Sequence, residues 1–374
     1  MVKWQSALEK WDRELKLNPN FWKSKRVLVT GHTGFKGSWL SYWLKQLGAD
    51  VIGFSLEPNS NPSLFEALEL EKIIDHKVGD IRHSEKFQNV ICEANPDVVF
   101  HLAAQSIVST GYDDPSATFD TNVMGVVNLL ESFRESKRSI PILIVSSDKC
   151  YLNYDTGKAF NTSDPLGGHD PYSASKAGTE IVVGAYQASF FNKADGPRLA
   201  SARAGNVIGG GDWSKDRLIP DAVRAFNKGV PVEIRNPYAT RPWQHVLEPI
   251  CGYLILIQNL VQSPEFARPW NFGPNPENTL NVEEVCKQLV LCWQNDAKCK
   301  FSEHKQSWKE AKVLALDVTE TTKNLQFESV LGPGETFKWT VDWYRNYYQN
   351  KTVSNVRNLC DAQIFEYTKR QNSR

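Results

Sequence analysis

The chain alternates short, almost wholly apolar runs with stretches whose apolar positions recur every three or four residues. Arg26-Val-Leu-Val-Thr30 is the first such run. Beyond a glycine-rich turn, Trp39, Leu40, Trp43, Leu44 and Leu47 fall on one stripe at helical spacing, and Gly48 ends it. Asp50-Val-Ile-Gly-Phe-Ser55 follows, so this stretch predicts a β-turn-α-β unit. The alternation then predicts a short strand over 78–81, a helix over 84–94 and a strand over 97–102. A long helix over 115–138, a strand over 142–146, a helix over 171–189 and a sixth strand over 199–203 come next. Strands apolar at nearly every position are covered on both faces. Their alternation with helices predicts a parallel, doubly wound α/β sheet. After Arg203 the regularity gives way to a glycine-rich loop, then to a segment rich in Arg, Pro and Asn, then to shorter mixed elements.

Composition narrows the class. The chain has 374 residues, 43 Lys+Arg and 43 Asp+Glu, hence a formal net charge of zero. Such a balance argues against a nucleic-acid or anionic-membrane partner. Hydrophobic residues at 41% and charged residues at 23% are ordinary for a packed globular protein. Met1 to Lys10 mixes charged and apolar residues without a signal-peptide pattern, and no run reaches the roughly 18 apolar residues of a membrane span. The seven cysteines have no metal-site spacing, so no metal is expected and the thiols read as reduced. A cytoplasmic location is the expectation.

Gly31-His-Thr-Gly34-Phe-Lys-Gly37 sits directly between the first strand and the first helix. Glycine there permits a tight turn and a close approach of backbone to a pyrophosphate, while the helix N-terminus offers free N–H groups to the phosphates. The complete β-turn-α-β context makes this a dinucleotide site. The acidic residue expected at the end of the second strand is missing. Ser55 stands there instead, and Asp80 after the third strand is placed to meet an adenine. No Arg follows the second strand to hold a 2′-phosphate, so NAD is expected over NADP. The expected organisation is a Rossmann-type domain over 21–205, with 246–272 returning to it. Residues 206–245 and 273–350 form a smaller α/β substrate domain. Residues 1–20 are an N-terminal extension and 351–374 a C-terminal tail.

Tyr172 and Lys176 lie four apart on a predicted helix, hence on one face. A phenol near pKa 10 is a poor base at neutral pH. A neighbouring ammonium and a nicotinamide cation would lower it, and the Tyr could then accept a hydroxyl proton. The preceding buried strand ends in Ser146-Ser147.

This combination resembles the extended short-chain dehydrogenase/reductase family, in its nucleotide-sugar branch. The resemblance covers about residues 20–345. It implies a Ser147–Tyr172–Lys176 triad. Asp148-Lys149, directly after the serine, is similar to the acid/base pair of the members that dehydrate CDP-glucose. So are residues 31–39, 59–66, 121–125, 164–176, 203–213, 234–237, 241–249 and 270–274. The resemblance implies NAD contacts from Gly31, Thr33, Gly34, Phe35, Lys36, Gly37, Ser55, Asp80, Ile81, Leu102, Ala103, Ala104, Gln105, Asn122, Tyr172, Lys176 and Arg203. It implies a CDP-glucose partner and a homodimer or homotetramer, because the helices from Pro115 and Pro171 resemble those that pair in family dimers. For the nucleotide end, Asn206, Arg217, Arg235 and Arg241 are candidates, since Arg forks bind diphosphate oxygens bidentately. Ile219 is expected in the substrate pocket; Trp213 either lines it or packs under the loop, His245 either binds substrate or supports the site, and Arg224 adds to the local cluster of arginines. Two segments depart from the family pattern. Ser106-Ile-Val-Ser109 stands where Pro-Leu-Val-Arg is usual, and residues 153–163 lack the usual Gly-Tyr-Arg-Glu pattern.

The implied reaction is an NAD-dependent dehydration of CDP-glucose to its 4-keto-6-deoxy product, a lyase reaction supplying deoxysugars for surface polysaccharide. Tyr172 would take the 4-OH proton with help from Lys176 and Ser147, Lys149 the C5 proton, and Asp148 would protonate O6. The same residues also suit a 4,6-dehydratase or 4-epimerase acting on another nucleotide sugar, or a non-catalytic dinucleotide-binding regulator.

Overall fold

The computed structural model describes residues 16–373, except 194, 235, 276–277, 295–296 and 302–312. Its centre is a seven-stranded parallel sheet. The strands are β1 (Arg26–Thr30), β2 (Asp50–Ser55), β3 (Asp75–Val78), β4 (Val98–His101), β5 (Pro141–Val145) and β6 (Arg198–Ala204). Later short strands are β7 (Val207–Ile208), β8 (Val232–Ile234), β9 (Thr240–Arg241) and β10 (Gln244–His245); β11 (Pro269–Phe272) is the seventh strand of the sheet. The order across it is β11-β6-β5-β4-β1-β2-β3. Central strands β4 and β5 are buried at every position, which explains their unbroken apolar runs.

Helices cover both faces. One face carries α1 (Phe35–Gln46) and, further along the chain, a long helix over Leu247–Gln262. The other carries α2 (Ser84–Ala94), α3 (Gly125–Glu131) and α4 (Pro171–Ser189). Elements after β6 form a cap that faces the C-terminal ends of the strands: α5 (Leu218–Asn227) and α7 (Val282–Trp293), with α6, the Leu247–Gln262 helix of the sheet, between them in sequence. Within the cap β7 pairs with β10, and β8 pairs with the late strand Cys299–Phe301.

Three expectations change. The third strand lies at Asp75–Val78 rather than 78–81. It is a half-exposed edge strand whose polar residues hide it from an apolar pattern. The helix expected over 115–138 is instead Pro115–Phe119, a wide turn over Asp120–Met124, then α3. Residues 351–374 are no loose tail. They contain α9 (Val353–Asn372), which follows α8 (Pro333–Gln349) and packs its buried Val356, Cys360, Ile364 and Tyr367 into the main core. Of the expected extension, residues 1–15 lie outside the described residues. The short helix Pro19–Trp22 buries Trp22 against Phe100 of β4. No helix among the described residues is long and apolar enough to cross a membrane. The cysteines form no disulfide.

Candidate active site

The C-terminal ends of β1 to β6 open onto a cavity of about 600 Å³ that the cap closes from the other side. Clefts of this size at the carboxyl ends of a parallel sheet hold small ligands.

One end is built on the glycine turn. Gly31 has φ +74°, and a Cβ there would stand 2.6 Å from the Ala103 nitrogen. A Cβ on Gly37 would come within 2.0 Å of the Gly31 carbonyl oxygen, so only glycine lets the turn close over the start of α1. Gly34 caps α1 without a side-chain hydrogen bond, leaving its first N–H groups to the cavity. Thr33 Oγ1 lies 2.8 Å from Ser55 Oγ and donates to the Leu56 carbonyl at 2.8 Å, joining this turn to the end of β2. Asp80 lines the same end, held bidentately by Arg82 at 2.6 to 3.1 Å; this salt bridge holds its carboxyl below the usual range. Phe35, Lys36, Ile81, Leu102, Ala103 and Ala104 line the wall. The cradle that a Cβ would fill, and the uncapped helix end beside it, fit a dinucleotide pyrophosphate.

The middle of the cavity gathers Ser147, Asp148, Lys149, Tyr172 and Lys176. β5 ends at Val145, so Ser147 begins a short turn over Asp148–Cys150, and its Oγ accepts from the Lys149 N–H at 3.2 Å. Asp170 caps α4 by accepting from the Ser173 N–H, which seats Tyr172 in the first turn and Lys176 one turn later. All but Lys149, which is half-buried, are buried. Burial pushes the Tyr172 phenol up to about 12, while a hydrogen bond to Ser147 pulls it down. The expected lowering of this phenol is therefore not produced by the protein groups alone. Burial brings Lys176 down to about 8, against the charge of Glu180. Burial also raises the Asp148 carboxyl, against the pull of Lys149, Ser147, Arg241 and Lys36. Asp148 Oδ1 accepts from Ser147 at 3.1 Å; Oδ2 has no hydrogen-bond partner. Lys36 is brought down to about 7 by burial and by Lys176 and Arg217.

At the cap end, Asn206, Arg217, Ile219 and Arg241 line the cavity. Arg217 spans it: Nη1 donates to Asp212 at 3.1 Å and Nη2 to Ser106 Oγ at 3.2 Å. Ser109 donates to Asp216 at 3.1 Å. Arg235 lies outside the described residues.

Other expected site residues lie elsewhere. Trp213 packs in an aromatic cluster with Trp343, Tyr344 and Tyr347. His245 is fully buried between the rings of Trp39 and Trp339. Arg203 faces a buried carboxylate, Glu180. Arg224 donates to the backbone carbonyls of Trp213 and Ser214. None of the four lines the cavity, because each is committed to packing or pairing. Gln105 and Asn122 also stand outside its lining. Asn122 accepts from the Gln105 N–H at 2.8 Å and donates to the Gln105 carbonyl and to Ser175, tying the loop after β4 to α4. Sequence reasoning passed over Arg82, Asp212, Asp216 and Ser106. The signal for the last three was the departure at Ser106 to Ser109, since a loop that lacks its usual arginine needs other partners across the cavity.

The family model for GDP-mannose 4,6 dehydratase matches residues 28–355. The chain belongs to the GDP-mannose 4,6-dehydratase family. Among its relatives, a CDP-glucose 4,6-dehydratase from Salmonella typhimurium is 44% identical over 342 residues, covering 90% of this chain and 95% of that protein. A dTDP-glucose 4,6-dehydratase from Streptomyces venezuelae, solved with NAD bound, superposes with a TM-score of 0.71 at 20% identity, over 87% of this chain and 97% of that one. A dTDP-glucose 4,6-dehydratase from Bacillus anthracis, in complex with NAD, gives 0.69 at 23% identity, over 87% and 97%. These two structures establish the shared fold. The family match spans both the glycine turn and the cap, so one family accounts for both walls of the cavity.

Proposed function

We propose that the protein dehydrates CDP-D-glucose to CDP-4-dehydro-6-deoxy-D-glucose and water, with NAD as resident cofactor. The observation that carries this is Asp148. A buried carboxyl raised in pKa, with one oxygen unpartnered, stands beside Lys149 in the cavity that holds Tyr172 and Lys176. Oxidation at C4 alone needs only a base; loss of water also needs an acid. The 44% identical CDP-glucose 4,6-dehydratase supports the choice of substrate.

Gly31, Gly34, Gly37 and the N-terminus of α1 would hold the NAD pyrophosphate, with Asp80 toward the adenine. When bound, NAD supplies the reversible hydride acceptor that the reaction needs at C4 and C6. Tyr172 takes the proton of the 4-OH, oriented by Ser147 and assisted by the Lys176 charge. Lys149 takes the C5 proton made acidic by the 4-keto group and returns a proton to C5 when C6 is reduced. Asp148 gives its proton to O6, and water leaves. Arg217 and Arg241 bind the diphosphate, with Arg217 exchanging its Ser106 contact for phosphate oxygens. We further propose that the enzyme acts in the cytoplasm, in supply of deoxysugars for surface polysaccharide. The exposed Phe119, Met124 and Ile181, on helices that pack together, support pairing with a second copy.

The test is incubation with CDP-, dTDP-, UDP- and GDP-glucose, scored by the alkaline absorbance of a 4-keto-6-deoxy product. Product from CDP-glucose in preference to the others is expected. Product from another nucleotide sugar alone would move the substrate assignment, and a 4-epimer in place of the keto product would sink dehydration.

A further inference from the structure

Glu180 follows Lys176 by one helical turn on α4, so the two side chains share a face. Neither Glu180 nor Arg203 lines the cavity, and both are almost fully buried, at 4% and 3% exposure. Arg203 Nη2 sits 2.7 Å from Glu180 Oε2, and the same oxygen accepts from Ser201 Oγ at 2.8 Å. Arg203 Nη1 donates to Tyr151 Oη at 2.8 Å and to the Thr162 carbonyl at 3.0 Å, with its guanidinium over the Tyr151 ring. Tyr151 Oη donates in turn to Asn271 Oδ1 at 2.7 Å. Tyr151 directly follows the turn that carries Asp148 and Lys149. One buried network therefore joins α4, that turn, β6 and β11.

We infer that Glu180 is a positioning residue for Lys176, and that Arg203 and Tyr151 form the brace that fixes its carboxylate and registers the Asp148–Lys149 turn against α4. Stability alone does not account for charge at this depth. A buried ion pair is often no more stabilising than apolar side chains of the same volume. The groups that face Lys176 are Lys36 from α1, His101 from β4, Cys150 from the turn, and Tyr172 and Glu180 from its own helix. Lys36 repels its charge, and His101 is kept neutral by burial at about 3. Glu180 is the strongest influence holding the ammonium charged against burial. A Lys176 that lost its proton would cease to favour the Tyr172 phenolate. The brace thus sets the pH range in which the Tyr base functions, an inference that rests on the proposed role of Tyr172.

The test titrates Lys176 directly, by NMR of protein carrying 13C-labelled lysine, with the resonance assigned through K176R. The wild-type midpoint is expected near the value of about 8 that the structure sets. E180Q is expected to lower it by about one to three pH units, the usual effect of losing a close opposite charge. E180D should restore most of it. E180Q/R203M removes both charges and leaves no unpaired one, and carries the test where E180Q does not fold; its midpoint should also fall, by less than in E180Q because the repulsion of the Arg203 charge goes with it. In turnover, the alkaline limb of kcat/KM should move down with it. An unmoved Lys176 midpoint in folded E180Q or E180Q/R203M would overturn the inference. So would activity that falls with the pH profile unchanged, since that is the mark of a structural role only. Failure of the wild type to act on any sugar nucleotide would strike the proposed function instead, leaving the lysine titration to decide the positioning role.

Discussion

Burial raises the Asp148 carboxyl above its ordinary 3.8, although Lys149, Ser147, Arg241 and Lys36 all pull the other way. An acid that must give a proton to a leaving hydroxyl near neutral pH needs that shift. D148N keeps the shape and removes the proton. It is expected to cut product formation by about 10²- to 10⁴-fold, the usual contribution of a general acid. Exchange of the substrate C5 proton with solvent deuterium should continue, because Lys149 and Tyr172 are untouched. NMR of the recovered sugar nucleotide separates the two steps, and equal loss of both would remove Asp148 from the acid role. The same shift has a sign in stability. A carboxyl raised in the folded state binds more protons folded than unfolded, so its contribution is present below 3.8 and is lost as pH rises through the raised value. D148N should therefore gain stability relative to wild type as pH rises. Urea midpoints at pH 5 and pH 8 check this, and a gain that shrinks at pH 8 contradicts it.

Elements were legible where packing is symmetric. β1, β4 and β5 read directly from the sequence because burial on both faces demands apolar residues almost throughout; β6 read from its Leu and Ala residues, although it also buries Ser201 and Arg203. β3 did not, since an edge strand of Asp75-His-Lys-Val has little to bury. The glycine turn and the Tyr172–Lys176 pair were legible because their spacing is local. Trp213 and His245 took the packing role of the two that were open to them, since an aromatic beside a site motif packs as readily into a core as into a pocket. α9 escaped notice for another reason: it is held by contacts remote in sequence. Tyr367 donates to Glu248 Oε2 at 2.6 Å, while Glu248 Oε1 accepts the N–H groups of Val330 and Leu331 at 2.9 and 2.8 Å. Glu248 is 1% exposed, so this carboxylate joins α6, the segment before α8, and α9 at one buried point. Y367F deletes one hydrogen bond to a charged group and is expected to cost about 1.5–3 kcal/mol in urea unfolding. The cavity lies elsewhere, so kcat should hold. A loss below about 0.5 kcal/mol would mean that the Tyr367–Glu248 hydrogen bond adds nothing to the docking of α9.

At the scale of the whole molecule, burial keeps three histidines neutral among the described residues. His32, His101 and His245 are each brought down from 6.5 to about 3, His32 with help from its neighbour His76. His32 Nε2 meets His76 Nδ1 at 2.7 Å, His101 Nδ1 meets the Thr30 hydroxyl at 2.8 Å, and His245 lies between tryptophans. A group depressed in the folded state contributes stability above its unfolded pKa that is lost as pH falls toward the folded one. The window here runs from 6.5 down to about 3. At pH 5 each histidine has cost about 2 kcal/mol relative to neutral pH, so the three together cost about 6 kcal/mol. That is a large part of the roughly 5–15 kcal/mol that holds an ordinary domain. The raised carboxyls of Asp148 and Asp361 act with the opposite sign. The protein is therefore expected to lose stability steeply between pH 7 and pH 5, well above the range in which ordinary carboxylates protonate. Urea unfolding at half-unit intervals measures the slope, which approaches about 4 kcal/mol per pH unit if all three contribute. H245N, measured the same way, should flatten the difference between pH 7 and pH 5 by about 2 kcal/mol, whatever it does to absolute stability. A difference unchanged by H245N would show that this histidine accepts a proton without unfolding, and that the packing around it opens to water.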